Sequence, residues 1–142
     1  EVKSEVLKEA HRFWRAYIQN AMEKNPYPPY LASGLAYIHF AKEEKELFKL
    51  LFMRDRSGEA IEDGADMQPV IEALRRASGL RAENAYMVHA EMWMFVHGIA
   101  TMIVTSYLAW DDALICRFLT DAYFGIQSRF SEKVKKHEVH HE

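Results

Sequence analysis

A chain of 142 residues is long enough for one domain that buries roughly 70% of its unfolded surface, and its 49% hydrophobic and 27% charged residues exclude a disordered chain. A formal net charge of -3 does not mark the whole chain as a nucleic-acid binder. The single cysteine, Cys116, excludes an internal disulfide and suits a reducing cytoplasm.

Val6, Ala10, Phe13, Trp14, Tyr17, Ile18 and Ala21 recur in steps of three and four, which predicts an amphipathic helix over residues 2–24. This opening segment is charged and lacks the apolar region of a signal peptide. Asn25-Pro26 ends the helix, and PYPPY (26–30) is a rigid link with Pro29 suited to the next first turn. Leu31, Leu35, Ile38 and Ala41, with Tyr37 and Phe40, predict a second helix over 30–42. EEKELFKLLFMRD (43–55) continues as a short helix, bent from its predecessor. RSGEAIEDGAD (56–66) reads as a loop, and its last residue, Asp66, is a candidate N-cap. Val70, Ile71, Leu74 and Ala77 form the next helix, stopped by Gly79. A long helix spans 82–109. Asp111 and Asp112 break it, and one of them caps a last helix over 112–134. No strand-like alternation occurs, so the expectation is a single all-α domain of about six helices over 1–142.

From Met92 to Trp110 the run holds no charged residue, and His97 is its one basic group. Its length fits a membrane span. Its flanks, Glu91 and Asp111, lack the positive-inside signature, and Thr101, Thr105 and Ser106 dilute it. The preferred reading is a helix buried all round in a domain with no membrane contact. At 100° per residue two faces separate. Tyr86, His89, Trp93, His97, Val104 and Tyr107 make an aromatic face with polar tips. Met87, Met94, Gly98, Met102 and Thr105 lie nearly opposite, where glycine admits a close helix. The last helix repeats the pattern with Gly125 between Phe124 and Ile126. Two readings are open: a two-fold four-helix-bundle interface, or glycines packed in a monomer core.

His89 and His97 stand about 12 Å apart along a helix and cannot share one metal ion. The one Glu-x-x-His match, Glu138 to His141, falls in the tail KKHEVHHE, read as a solvated end. There is no G-x-S-x-G, no phosphate-binding glycine loop and no evident base for Cys116. The expectation is no enzyme, no cofactor and no metal. Tyr37, Phe40, Phe48, Phe52, Tyr86, Trp93 and Tyr107 exceed the needs of a tight core, and His89 and His97 add orienting polar groups. These residues make either a ligand cavity between helices or a filled aromatic core.

GLAYIHFAKEEKELFKLLFMRDR (34–56) together with EMWMFVHGIATMIVTSYLAWD (91–111), which contains Trp93, His97 and Gly98 as Trp-x-x-x-His-Gly, resembles the C-terminal domain of TetR-family transcriptional regulators. The resemblance runs from the first helix to Phe130. It implies a domain that binds a small apolar or aromatic effector and forms a homodimer through its last two long helices. It implies that operator DNA is engaged through an N-terminal helix-turn-helix domain, which this sequence lacks. The effector-site candidates are then Trp93, His97, His89, Tyr86, Tyr37, Phe40, Phe52 and Tyr107. The interface candidates are Met94, Gly98, Met102, Thr105, Phe118, Ala122, Gly125 and Ile126. The rival expectations are a purely structural dimerisation module and a helical-bundle haem or metal protein.

Overall fold

A computed structural model describes residues 2–54, 67–107 and 109–140, with side chains described for 4–54, 67–107 and 109–130. The described residues are helical almost throughout: α1 (Val2–Lys24), α2 (Pro29–Glu43), α3 (Lys45–Phe48) running into a π-helical turn (Lys49–Met53), α4 (Gln68–Ser78), α5 (Ala82–Val104) and α6 (Asp112–His140). The expected loop at 56–66, with the N-cap Asp66, lies outside the described residues.

Proline sets the first boundary. Asn25 Oδ1 accepts the Tyr27 N–H at 3.0 Å, and Pro29 enters α2 where a missing N–H costs nothing. α2 is the central helix. It packs against α1, α4, α5 and α6 and buries Leu35, Tyr37, Ile38 and Phe40 with its alanines. A helix apolar on so many sides is stable only when surrounded. At Glu44 the backbone leaves the helical region, and α3 restarts at once. The segment expected as one short bent helix is therefore a turn of α-helix followed by a π turn. α1 covers one side of α2 with Ala10, Trp14 and Ile18.

α4 stops at Gly79, whose φ of 71° places it in the left-handed region and lets its N–H reach the Arg75 carbonyl at 2.8 Å. α5 ends at Val104, five residues before the position expected from the apolar run. The Tyr107 N–H bonds back to Met102 O at 2.8 Å and the Ser106 N–H to Ile103 O at 3.0 Å, with Ser106 at φ 62°. This is a Schellman cap closed by a serine where glycine is usual. Hydropathy continues through it, so the apolar run conceals the stop. Asp111 is the N-cap of α6: its Oδ1 accepts the Leu114 N–H at 2.9 Å. α6 then runs to His140, beyond the expected end at 134. Asp112 reaches across to α2, where the His39 Nε2 stands 2.9 Å from its carboxylate.

α5 runs parallel to α2, pairing Tyr30 with His89 and Tyr37 with His97. Its buried stripe is Ala85, Val88, Met92, Val96 and Ile99. The two faces drawn from the sequence flank this stripe. Gly34 of α2 sits under α6 and α5: a Cβ there would stand 3.4 Å from Leu119 and 3.9 Å from Val96. Among the described residues α5 is the one helix long and apolar enough to span a bilayer by length and composition. The core helix of a water-soluble fold passes the same test.

Candidate effector cavity

A cavity of about 240 Å³ opens between the helices. α1 contributes Trp14 and Ile18, and α2 contributes Tyr30, Leu31, Gly34 and Tyr37. Phe52 of the π turn, with Met67 and Val70, closes one end. α5 supplies His89, Met92, Trp93 and Val96, and α6 supplies Leu119, Thr120, Tyr123 and Phe124. Trp93 and Phe124 remain 38% and 61% exposed, so the cavity meets the surface beside them. A π turn presents its side chains at an angle that regular helix does not. Here it aims Phe52 at Tyr37 and Trp14, with ring centroids 4.9 and 5.4 Å away.

Two tyrosine–histidine pairs tie α2 to α5. The Tyr30 hydroxyl is 2.9 Å from His89 Nδ1, and the Tyr37 hydroxyl is 2.8 Å from His97 Nδ1. Burial pushes the His89 imidazole from 6.5 down to about 4 and lowers His97 in the same direction. Burial also holds both phenols well above the usual tyrosine value, with Trp93 partly opposing this at Tyr37. All four groups are therefore neutral near pH 7. A neutral pair that faces a cavity, as Tyr30 and His89 do, can donate a hydrogen bond to a polar group placed there.

The expected ligand residues separate by position. His89, Trp93, Tyr37 and Phe52 line the cavity. His97 stands behind the wall, stacked between Trp93 at 5.0 Å and Phe48 at 6.0 Å, and it fixes the Tyr37 hydroxyl. Phe40 is fully buried between Trp14 and Tyr17 and takes no part in the lining. Tyr86 and Tyr107 are 63% and 77% exposed and are not brought to the cavity. α2 begins at Pro29, so nothing on it faces Tyr86, one turn before His89. Tyr107 lies past the end of α5, where helical spacing no longer applies. Trp14, Tyr30, Tyr123 and Phe124 are the aromatic cavity residues that sequence reasoning missed, and the aliphatic part of the wall, such as Ile18, Leu31, Val96 and Leu119, was missed as well. The steps of three and four place Trp14 on a buried face, but periodicity within one helix cannot say which neighbour it meets.

The other face of α5 is bare. Met87, Met94, Phe95 and Met102 are 40–61% exposed, and a Cβ added at Gly98 would meet nothing within 4 Å. Thr105 lies exposed at the same end. On α6 a Cβ at Gly125 also meets open space, and Leu114 and Phe124 are exposed. Phe118 is half-buried against Trp110, at 4.8 Å. Ala122 and Ile126 are half-buried against the core of the same chain. Among the described residues no three His, Cys, Asp or Glu side chains converge as a metal site.

A family model described as tetracyclin repressor-like, C-terminal domain, matches residues 30–122. No curated protein and no solved structure matches the chain. The matched span runs from the start of α2 into α6 and so contains most of the cavity wall and all of α5. Together with the all-helical fold, this shows that the chain belongs to the tetracyclin repressor-like C-terminal domain family.

Proposed function

We propose that this domain is the effector-sensing and dimerisation unit of a TetR-type transcriptional repressor acting in the cytoplasm. The observation that carries the reading is the cavity itself, walled by aromatic side chains from α1, α2, α5 and α6. Helical bundles place small-molecule sites in this position. α1 is the element that a ligand moves. Trp14 and Ile18 touch the cavity from one side of that helix, so an occupant that fits one setting of α1 better shifts its population. In a two-fold dimer the displacement is applied twice. Successive major-groove half-sites lie about 34–36 Å apart, and a few ångströms at the reading heads release DNA. DNA reading belongs to the helix-turn-helix part of such repressors. The second copy packs on the bare faces of α5 and α6, which bury Met94, Gly98 and Met102.

The test is a thermal-shift screen of one-ring and two-ring aromatic fragments against the wild-type chain and Val96→Phe. The larger side chain fills the cavity from its α5 wall. Fragments at millimolar concentration are expected to raise the melting temperature of the wild type and to leave the variant unmoved. Equal shifts in both proteins would overturn the assignment, and no shift in either would favour a purely structural module.

A further inference from the structure

The chemistry of the cavity wall narrows the class of molecule it takes, granting that the cavity is an effector site. Tyr30 and His89 carry two polar hydrogens between them when neutral, one on the phenol and one on the imidazole. The hydrogen bond joining them uses one. The other is left over whichever tautomer the ring adopts. When the phenol donates to Nδ1, the remaining hydrogen sits on Nε2. When Nδ1–H donates to the phenol oxygen, the remaining hydrogen is the hydroxyl's own. No second hydrogen bond joins either residue to an acceptor among the described residues. Both residues line the cavity, and the spare donor is not sealed in the core, so it is open to an occupant of the cavity or to water.

The rest of the wall carries no charge. Among the described residues no Lys, Arg, Asp or Glu lines the cavity, and its other polar groups are neutral: the hydroxyls of Thr120 and Tyr123 and the indole N–H groups of Trp14 and Trp93. Ser33 is already committed to the Tyr30 carbonyl at 2.6 Å. A buried ion without a countercharge is strongly disfavoured. A cation held over ring faces needs those faces free. Here Trp14 meets Tyr37 and Phe52 edge-on, at 85° and 80°, and Trp93 lies flat on His97 at 15°. Part of the ring-face area is thus taken up within the wall, which leaves less of it for a cation.

We propose that the effector is an uncharged molecule of one or two aromatic rings bearing an acceptor oxygen or nitrogen, and that the Tyr30–His89 pair donates the hydrogen bond that orients it. The size follows from the volume. A cavity of about 150 Å³ holds benzene, and about 240 Å³ leaves room for a substituent or a second fused ring.

Four probes of matched shape test this: cumene, acetophenone, benzoate and benzamidinium. Each is titrated at pH 7 into the 142-residue chain, with tryptophan fluorescence as the readout. Cumene and acetophenone are expected to bind, and both ions are expected to bind at least about tenfold more weakly than acetophenone. Tyr30→Phe keeps the imidazole hydrogen and keeps most of the acetophenone-to-cumene affinity ratio. The Tyr30→Phe/His89→Leu double variant removes both hydrogens, and that ratio falls about tenfold. An unchanged ratio in the double variant, or an ion that binds as well as acetophenone, overturns the proposal while leaving the cavity an effector site. Binding of none of the four overturns the effector site itself. If the double variant fails to fold, the four affinities of the wild type still decide between the neutral and charged classes.

Discussion

Gly98→Leu separates the fold of one chain from the assembly of two. In the single chain the substitution meets open space, since a Cβ at Gly98 has no neighbour within 4 Å. Leucine is the better helix former by roughly 0.8 kcal/mol, so an isolated chain gains that much. A glycine-lined face lets a partner helix approach to about 8 Å, the short end of helix packing distances. Forcing a larger side chain into a packed contact costs about 1–3 kcal/mol. Two-fold symmetry applies it twice, so dimerisation weakens by about 2–6 kcal/mol, roughly 30-fold or more in Kd. Sedimentation across a concentration series reads the association, and thermal unfolding of the monomeric fraction reads the fold. The expected result is opposite signs: weaker association and an equal or higher monomer melting temperature. An unchanged dimer would place the interface elsewhere, and a destabilised monomer would mean that Gly98 is packed within its own chain.

The His89 imidazole, depressed from 6.5 to about 4 by burial, ties stability to pH. The unfolded chain takes up that proton first as pH falls, so the contribution is complete above about pH 6.5 and is lost progressively toward pH 4. Denaturant unfolding at pH 7 and pH 5, at fixed protein concentration, is expected to show the wild type losing about 2 kcal/mol more than His89→Asn; equal losses would refute a buried neutral His89. Ser106→Gly relieves a left-handed residue in the α5 cap and is expected to stabilise by about 0.5–1 kcal/mol, read as a raised denaturation midpoint. A lowered midpoint would mean that the serine side chain makes a contact outweighing its backbone strain. Asp111→Ala removes the acceptor of the Leu114 N–H and is expected to cost about 1 kcal/mol. No loss on the same denaturation curve would show that water replaces the cap.

The helices were legible because their apolar spacing and their punctuation agree. Asn25-Pro26, Gly79 and Asp111 mark boundaries with residues suited to each stop or start, and the structure places them there. The end of α5 was not legible, because Ser106 does the work of glycine inside an unbroken apolar run. The faces of α5 were half legible. Polar tips and small residues distinguish its two flanks, whereas the buried stripe of Ala85, Val88, Met92, Val96 and Ile99 between them carries no unusual residue to announce it. At the site, His89, Trp93, Tyr37 and Phe52 were visible as aromatic or titratable residues at helical spacing. Tyr30 was not, because PYPPY reads as a link and the residue closing it belongs to the first turn of α2. Tyr107 shows the limit of the helical wheel, which assigns a direction to residues that have already left the helix.

The effector-sensing reading stands or falls on whether occupancy of the cavity moves α1. The direct measurement places a spin label at Lys8→Cys in a Cys116→Ser background and records the distance between the two labels of the dimer, with and without saturating acetophenone. Lys8 is exposed on α1, on the same helix as the cavity residues Trp14 and Ile18. The expected result is a single distance that shifts by at least about 2 Å on binding, the scale of helix movements in such switches. A distance that stays fixed while the probe is bound would contradict the sensing mechanism, and the absence of any inter-label distance would contradict the dimer.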